Sequence, residues 1–353
     1  MNENRPAYFG GITVTERRKA HSIQFLRFVA ASLVVLFHAH LALATDVSPN
    51  SASKYELYLF GFGAVGVHIF FVISGYIMVL TNPVDAKGYS AKRFFRKRII
   101  RIYPIYWLLA IVYILVNTMI GSGYDFSVYR LVSALLLFPD NAALIIGPAW
   151  TLSYEMYFYF MFGLAMLFGR LRGIIILSVF FSIAMGLGIL FKPSNAALAL
   201  ATNSLLIEFL FGAWIAYFTT RLKFPKLWGI VALLASVSLF AVGISWGYEN
   251  LPSAIIWGVP SALLILAVVI LEGYYQPVFI EKLSPLGDSS YTLYLAHILI
   301  ITLLVFVAQW LGITGVPLLV MTLIFAGVAI AISHWFHLII ELPMTRALNR
   351  WLS

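Results

Sequence analysis

Long apolar runs separated by short polar stretches recur along the whole chain. Ten of these runs come close to the ~20 residues that an α-helix needs to cross the hydrocarbon core of a bilayer. The predicted spans are 22–44, 58–80, 99–119, 149–168, 174–191, 198–219, 227–247, 254–271, 288–310 and 316–338. A further apolar stretch, 131–139, is too short to span and is expected to be re-entrant or interfacial. The pattern predicts an all-α, polytopic transmembrane helix bundle.

The composition agrees with this pattern. Hydrophobic residues make up 62% of the chain and charged residues only 10%, whereas a soluble domain has roughly a quarter charged residues. The sequence contains no Cys, which excludes disulfides, a Cys–zinc site and a thioester intermediate on the protein. We expect no metal ion.

The basic residues predict the orientation of the spans. With the N-terminus inside, most of the 23 Lys and Arg residues fall on the inner side, and only Lys54, Arg130 and Lys192 fall outside. Inner loops of membrane proteins are enriched in Lys and Arg, so both termini are expected in the cytoplasm. This distribution explains the net charge of +9 without a nucleic-acid partner.

The predicted boundaries divide the chain into a cytoplasmic N-terminal tail (1–21), a transmembrane domain (22–340) and a cytoplasmic C-terminal tail (341–353). The first span also resembles a secretory signal, with Ala42-Leu43-Ala44 as a cleavage site. Its apolar run is longer than a usual signal core and contains Arg27, so we favour a retained span.

Arg27 and His38 lie in this first span, where ionisable groups are costly and need a reason to be present. Their separation of eleven residues is three helical turns, which leaves them on one face and ~16 Å apart along the axis. Glu155 falls at a depth similar to that of His38, so the two could pair. A carboxylate beside Nδ1 of the imidazole would leave Nε2 to take a proton.

Three further intramembrane groups are second candidates for chemistry. His68 and Glu208 fall near the middle of the bilayer, and His297 lies about halfway along the ninth span. A lone intramembrane His often only joins two helices by a hydrogen bond, and for these residues both interpretations stay open. His334 and His337, near the inner interface, are interpreted as packing residues.

A basic segment enters the third span. Arg98 and Arg101 are three residues apart and share a helical face, and guanidinium groups suit phosphate oxygens. Arg93, Arg96 and Lys97 are interpreted as contacts to anionic lipid heads. A ligand with phosphates at Arg98 and Arg101 and a slim arm reaching toward His38 would have the shape of coenzyme A, although lipid-linked phosphates also fit.

Four motifs resemble those of the acyltransferase-3 family of integral membrane acyltransferases. Arg27 and His38 match the R/K-x10-H signature of its first helix. Gly66–Tyr76, which contains His68 and Ser74, matches the second-helix G-V-x-x-F-F-x-x-S-G-F pattern, with Tyr76 in place of Phe. The other matches are Arg98 and Arg101 before Tyr103-Pro104, Trp150-Thr151-Leu152-Ser153-Tyr154-Glu155, and two weaker C-terminal elements, Ser289–His297 and Glu341-Leu342-Pro343.

This resemblance implies that residues 22–340 form an acyltransferase domain with cytosolic acetyl-CoA as donor. It implies His38 as the catalytic residue, with Glu155 serving the acceptor or the His, and Arg27, Arg98 and Arg101 as the acetyl-CoA site. Acceptor or oxyanion candidates are Trp150, Ser153 and Tyr154, and weaker site candidates are His68, Ser74 and His297. Tyr157 and Tyr159 are further candidates for sugar stacking.

The resemblance also predicts the acceptor and the location. We expect a standalone exopolysaccharide O-acetyltransferase of the bacterial inner membrane, acting on a glycan or its lipid-linked precursor, with membrane lipids and polysaccharide-assembly proteins as further partners. Direct transfer, with His38 as base, and relay through an acetylated His38 both remain open. Transfer of a longer acyl chain and acylation of a small molecule also remain open. A transporter that carries out no acyl transfer is a further alternative, although the inverted repeats common in transporters are absent from the sequence.

Overall fold

The predicted spans are helical in the computed structural model, which describes residues 8–9, 12–13, 21–47, 60–82, 90–119, 121, 127–139, 145–246, 252–313 and 316–352. The helices are α1 (His21–Asp46), α2 (Val65–Thr81), α3 (Ala91–Met119), α4 (Val128–Leu135), α5 (Trp150–Ala165), α6 (Arg170–Phe191), α7 (Ala196–Ala201), α8 (Leu205–Thr219), α9 (Lys226–Trp246), α10 (Val259–Glu272), α11 (Val278–Leu283), α12 (Ser290–Trp310), α13 (Leu318–Phe336) and α14 (Leu342–Trp351). Two short strands in the N-terminal tail, β1 (Tyr8–Phe9) and β2 (Ile12–Thr13), pair antiparallel.

Nine helices within these described ranges are long and apolar enough to cross a membrane, with α7 and α8 together forming one of them. The predicted span that is missing from these nine, 149–168, corresponds to α5, which has 16 residues and is therefore ~24 Å long. Turns of 3-10 helix at Gly147–Ala149 and Met166–Phe168 extend it at both ends. The fold is the expected polytopic helical bundle.

Two elements differ from the sequence-based boundaries. Helix α3 begins at Ala91 rather than near 99, because the basic segment continues the helix beyond the apolar run. The short stretch expected at 131–139 forms α4, which ends against α3. Tyr106 donates to the Ala134 carbonyl at 2.7 Å and Trp107 to the Leu135 carbonyl at 2.8 Å. These bonds satisfy carbonyls that the end of a helix leaves without partners.

Glycines allow helices α2 and α8 to approach each other closely. A Cβ added at Gly75 of α2 would lie 1.8 Å from the carbonyl oxygen of Phe209 in α8, and one at Gly212 would lie 1.8 Å from the Val72 carbonyl oxygen. Small residues at such crossings let helix backbones pack together in membranes. The rings of Phe158 and Phe209 stack beside this crossing, with centroids 4.3 Å apart, which ties α5 to α8.

Two helices turn a largely apolar surface outward. Leu190 of α6 and Leu227 and Leu234 of α9 are among their exposed side chains. Water would disfavour so much exposed apolar surface, whereas lipid tails do not. The surface therefore fits an integral membrane protein.

Candidate active site

A cavity lies among α1, α2, α3, α5 and α12. About 840 Å³ of space lies between the lining side chains, a volume that includes the opening to solvent. Arg27, Arg98 and Arg101 line it together with Glu155 and Ser74. The structure thus brings together predicted site residues that are more than a hundred positions apart in sequence.

Helical periodicity explains which side chains face this cavity. Thr151, Glu155 and Tyr159 are four residues apart and lie on one face of α5, and all three line the cavity. Further hydroxyl groups come from the start of α12, at Ser290, Tyr291 and Tyr294. Tyr291 also donates a hydrogen bond of 2.7 Å to the Ile102 carbonyl of α3, which fixes this wall of the cavity.

Arg101 is held in place by a buried carboxylate. Its Nη1 lies 2.7 Å from Oε1 of Glu341, a residue that is only 1% exposed. The other oxygen of Glu341 accepts hydrogen bonds from Thr292 at 2.5 Å and from Nδ1 of His337 at 2.6 Å. Glu341 ends a turn of π-helix, His337–Glu341. The sequence-based interpretation of His337 as a packing residue is therefore incomplete.

Arg98 and Arg27 are not ion-paired with any carboxylate in the part of the chain that the structure describes. The guanidinium of Arg98 lies over the rings of Phe94 and Tyr159, 5.7 and 5.5 Å from their centroids, and its buried Nε has no hydrogen-bond partner. Arg27 donates to Oε1 of Gln24 at 3.2 Å. Two cations whose charge no carboxylate neutralises directly favour an anionic ligand.

Glu155 is bound by hydroxyl groups rather than by an imidazole. Its Oε1 accepts a hydrogen bond of 3.0 Å from Ser74 and a short one from Tyr159. No contact between Glu155 and His38 is found among the described residues. The expected pairing of these two side chains is therefore not formed, because α5 turns its carboxylate toward the arginine-lined cavity.

Three other members of the α5 motif, Trp150, Ser153 and Tyr154, are not part of the cavity lining. The rings of Trp150 and Tyr154 pack on Phe71, with centroids 6.5 and 6.1 Å away. Ser153 is 5% exposed, and its hydroxyl has no hydrogen-bond partner among the described residues. Contact with an acceptor at these three residues stays a prediction.

His38 pairs with His297, the residue that the sequence ranked as a weaker candidate. Nδ1 of His38 lies 3.2 Å from Nε2 of His297, and it also lies 2.9 Å from the Val34 carbonyl oxygen. Nδ1 of His297 lies 3.1 Å from the Leu293 carbonyl oxygen. The side chain of His297 is fully buried. This pair joins α1 to α12 inside the bundle.

Tyr294 lies between the cavity and the histidine pair. It lines the cavity, and its ring centroid lies 6.0 Å from that of His297. Phe70, another lining residue, packs edge-on against Tyr294 at 5.8 Å. His38 itself is not part of the lining, so the continuous passage expected from the arginines to His38 is interrupted here by Phe70 and Tyr294.

His68 and Glu208 form a separate buried pair. Nδ1 of His68 lies 2.8 Å from Oε1 of Glu208, which is 0% exposed. A second π-turn, Ala254–Gly258, brings Gly258 against this carboxylate: a Cβ at Gly258 would lie 2.8 Å from Cγ of Glu208. His68 therefore joins helices α2 and α8, as one of its two sequence-based interpretations proposes.

Sequence reasoning missed the role of several residues in this region. Glu341 was visible only as part of a weak C-terminal motif, and Tyr291 and Tyr294 only as members of another. A signal for Glu341 existed, because an acidic residue directly after an apolar run needs a partner. Nothing in the sequence identified Arg101 as that partner.

The transmembrane bundle encloses an arginine-lined cavity and, beside it, a buried histidine pair, an arrangement compatible with a membrane enzyme. The chain belongs to the acyltransferase-3 family, because the acyltransferase domain of that family matches residues 20–338. The protein is therefore a membrane acyltransferase, and the transporter that the sequence left open is set aside.

The chain is also similar to a protein of exopolysaccharide production. The exopolysaccharide production protein ExoZ of Rhizobium meliloti (strain 1021) is 27% identical to this chain over 296 residues, which cover 81% of this chain and 91% of ExoZ. No solved structure matches the chain.

Proposed function

We propose that this protein transfers an acetyl group from cytosolic acetyl-CoA to a hydroxyl group of an exopolysaccharide, or of its lipid-linked precursor, at the bacterial inner membrane. The observation that carries the proposal is the cavity that gathers Arg27, Arg98 and Arg101 within the bundle. The exopolysaccharide acceptor rests on the similarity to ExoZ.

The arginines account for the donor. Coenzyme A carries a pyrophosphate and a phosphomonoester, and guanidinium groups bind such oxygens with charge-assisted hydrogen bonds. Arg98 and Arg27 are available for these bonds, since no carboxylate of the described ranges is ion-paired with them. Arg101 contributes while it stays attached to Glu341. To reach His38, the slim pantetheine arm would have to displace the rings of Phe70 and Tyr294, which interrupt the passage.

His38 supplies the chemistry in the proposed reaction. In direct transfer, Nε2 of His38 takes the proton of the acceptor hydroxyl while the oxygen attacks the thioester carbonyl. The C–O bond forms, the C–S bond breaks, and the leaving thiolate recovers the proton from His38. In a relay, Nε2 attacks the thioester carbonyl, the C–S bond breaks, and an acetyl-imidazolium and the CoA thiolate form. The acceptor hydroxyl then attacks the acetyl group, the C–N bond breaks to restore the imidazole, and the hydroxyl proton goes to the thiolate.

The proposal is tested with the protein reconstituted in lipid, labelled acetyl-CoA and exopolysaccharide. His38→Ala is expected to abolish transfer while acetyl-CoA still raises the Tm of the variant, as bound ligand does. His334→Ala, near the predicted inner interface and outside the cavity lining, is the matched control and keeps activity. Full acetylation by His38→Ala, or none by the wild type, contradicts the proposal.

Rapid quench without acceptor distinguishes the two routes. Acetylated protein that accumulates under acceptor starvation supports the relay. Its absence supports direct transfer. Analysis of the exopolysaccharide from a strain lacking this protein identifies the modified hydroxyl group.

A further inference from the structure

The protons on the two imidazoles of the His38–His297 pair can be assigned from the atoms that they face. A carbonyl oxygen only accepts hydrogen bonds, so an imidazole nitrogen bonded to it must carry a proton. Nδ1 of His297 faces the Leu293 carbonyl at 3.1 Å, and Nδ1 of His38 faces the Val34 carbonyl at 2.9 Å. Both Nδ1 nitrogens are therefore donors.

The contact between the two rings agrees with this assignment. A neutral imidazole that is protonated at Nδ1 has a lone pair at Nε2. Nε2 of His297 consequently accepts from Nδ1 of His38, at 3.2 Å. The Nδ1 proton of His38 is shared between Val34 and His297, and its Nε2 is left as the basic nitrogen. The reverse tautomer of His38 would place two lone pairs against each other and lose both hydrogen bonds.

We propose that His297 is the positioning residue of this acyltransferase, which accepts the Nδ1 proton of His38 and thereby keeps Nε2 of His38 free as base or nucleophile. The inference rests on the proposed function, since it assigns Nε2 to acyl transfer. His297 acts through His38 and not on the substrate. Its partner role replaces the one expected for Glu155, which is bound to Ser74 and Tyr159 instead.

The surroundings of His297 restrict it to this role. It is fully buried, and its other nitrogen is already bonded to the backbone of its own helix. A second proton on His297 would create a charge away from water, which is unfavourable. The proton that His38 takes from the acceptor hydroxyl therefore stays on Nε2 of His38 until the thiolate leaves. No net proton has to pass through His297 for the reaction to balance.

Two variants of similar size separate positioning from packing. His297→Gln keeps an acceptor oxygen near the place of Nε2, whereas His297→Leu fills the space without one. We expect His297→Leu to lower kcat about 100-fold, the lower end of what general-base catalysis contributes, and His297→Gln to recover much of this loss. KM for acetyl-CoA should not change in either variant. Equal losses in the two variants, or wild-type kcat in His297→Leu, would overturn the proposal.

A spectroscopic measurement decides the question without activity. In protein labelled with 15N-histidine, at mildly alkaline pH, the wild type should show His38 protonated at Nδ1 and not at Nε2. Comparison with the His38→Ala spectrum identifies the His38 signals. The opposite tautomer would overturn the proposal even if both His297 variants fail to fold. This measurement needs no turnover. If the wild type transferred no acetyl group, the proposed function would be contradicted, and the tautomer of His38 would still test the role of His297.

Discussion

Arg98 and Arg101 share one face of α3 but differ in what surrounds their charge. Arg101 is bonded to Glu341, whereas Arg98 lies between aromatic rings without a carboxylate partner among the described residues. A bound phosphate would have to compete with Glu341 for Arg101 but would meet Arg98 unopposed. The two arginines are therefore expected to differ in their contribution to donor binding.

Arg98→Ala should weaken acetyl-CoA binding more than Arg101→Ala does. A hydrogen bond to a charged group is worth about 1.5–3 kcal/mol, so Kd should rise roughly 10- to 150-fold. Isothermal titration calorimetry of the reconstituted protein measures the Kd for acetyl-CoA. Arg93→Ala, an exposed position on the same helix, should leave Kd near the wild-type value. An equal effect at positions 93 and 98 would mean that the cavity does not bind the phosphates.

Glu341→Gln should reduce stability, because Arg101, His337 and Thr292 all bond to this one carboxylate. Loss of one partner from a buried ion pair costs about 3 kcal/mol or more, and the Tm in detergent should fall accordingly. Glu281→Gln, on the exposed side of α11, serves as control. A Tm unchanged by Glu341→Gln would show that the network does not hold α3 against α12 and α13.

At the scale of elements, the site depends on how closely α2 and α8 cross. Gly75 and Gly212 each leave room for a carbonyl oxygen of the facing helix. This crossing also fixes the rotation of α2, and therefore the direction in which Phe70 and Ser74 face the cavity. A change there should therefore disturb the whole wall of the cavity and not only one contact.

Gly75→Ala should destabilise the protein, since its Cβ would meet the Phe209 carbonyl at 1.8 Å and one of the helices must move. Overpacking of a well-packed core costs about 1–3 kcal/mol. The comparison is Gly186→Ala in α6, where a Cβ meets nothing within 4 Å. Folded yield and Tm of the two variants in detergent measure the difference. Equal Tm values would contradict the close crossing.

At the scale of the whole molecule, the path of the chain depends on α5. With α5 as a span, the chain crosses ten times and both termini share one side. Without it, the described spans number nine and every loop after α5 changes sides. The basic residues of the sequence favour ten crossings with the termini in the cytoplasm.

Single cysteines can test this path, because the natural chain has none. Lys192→Cys, after α6, should react with a membrane-impermeant maleimide added outside, and Lys223→Cys, after α8, should react only after permeabilisation. Both side chains are exposed. Lys92→Cys, before the third span, is the inner-side control. Reversed labelling of positions 192 and 223 would mean that α5 does not cross.

The sequence by itself determined the fold class, a polytopic helical bundle, because a ~20-residue apolar run has few alternatives in a bilayer. It also identified the arginines, since ionisable groups in such runs are too costly to be accidental. Local periodicity correctly placed Arg98 and Arg101 on one face of α3. These features depend on residues near each other in the chain.

Only the tertiary structure decided which polar groups meet. Depth along the helices suggested Glu155 as a partner for His38, and it assigned no partner to His297 or Glu208. Packing assigned His297 to His38, Glu208 to His68 and Ser74 to Glu155. The choice depends on rotation about each helix axis and on close crossings such as Gly75 with Phe209. Both are set by contacts between distant segments, which no local pattern records.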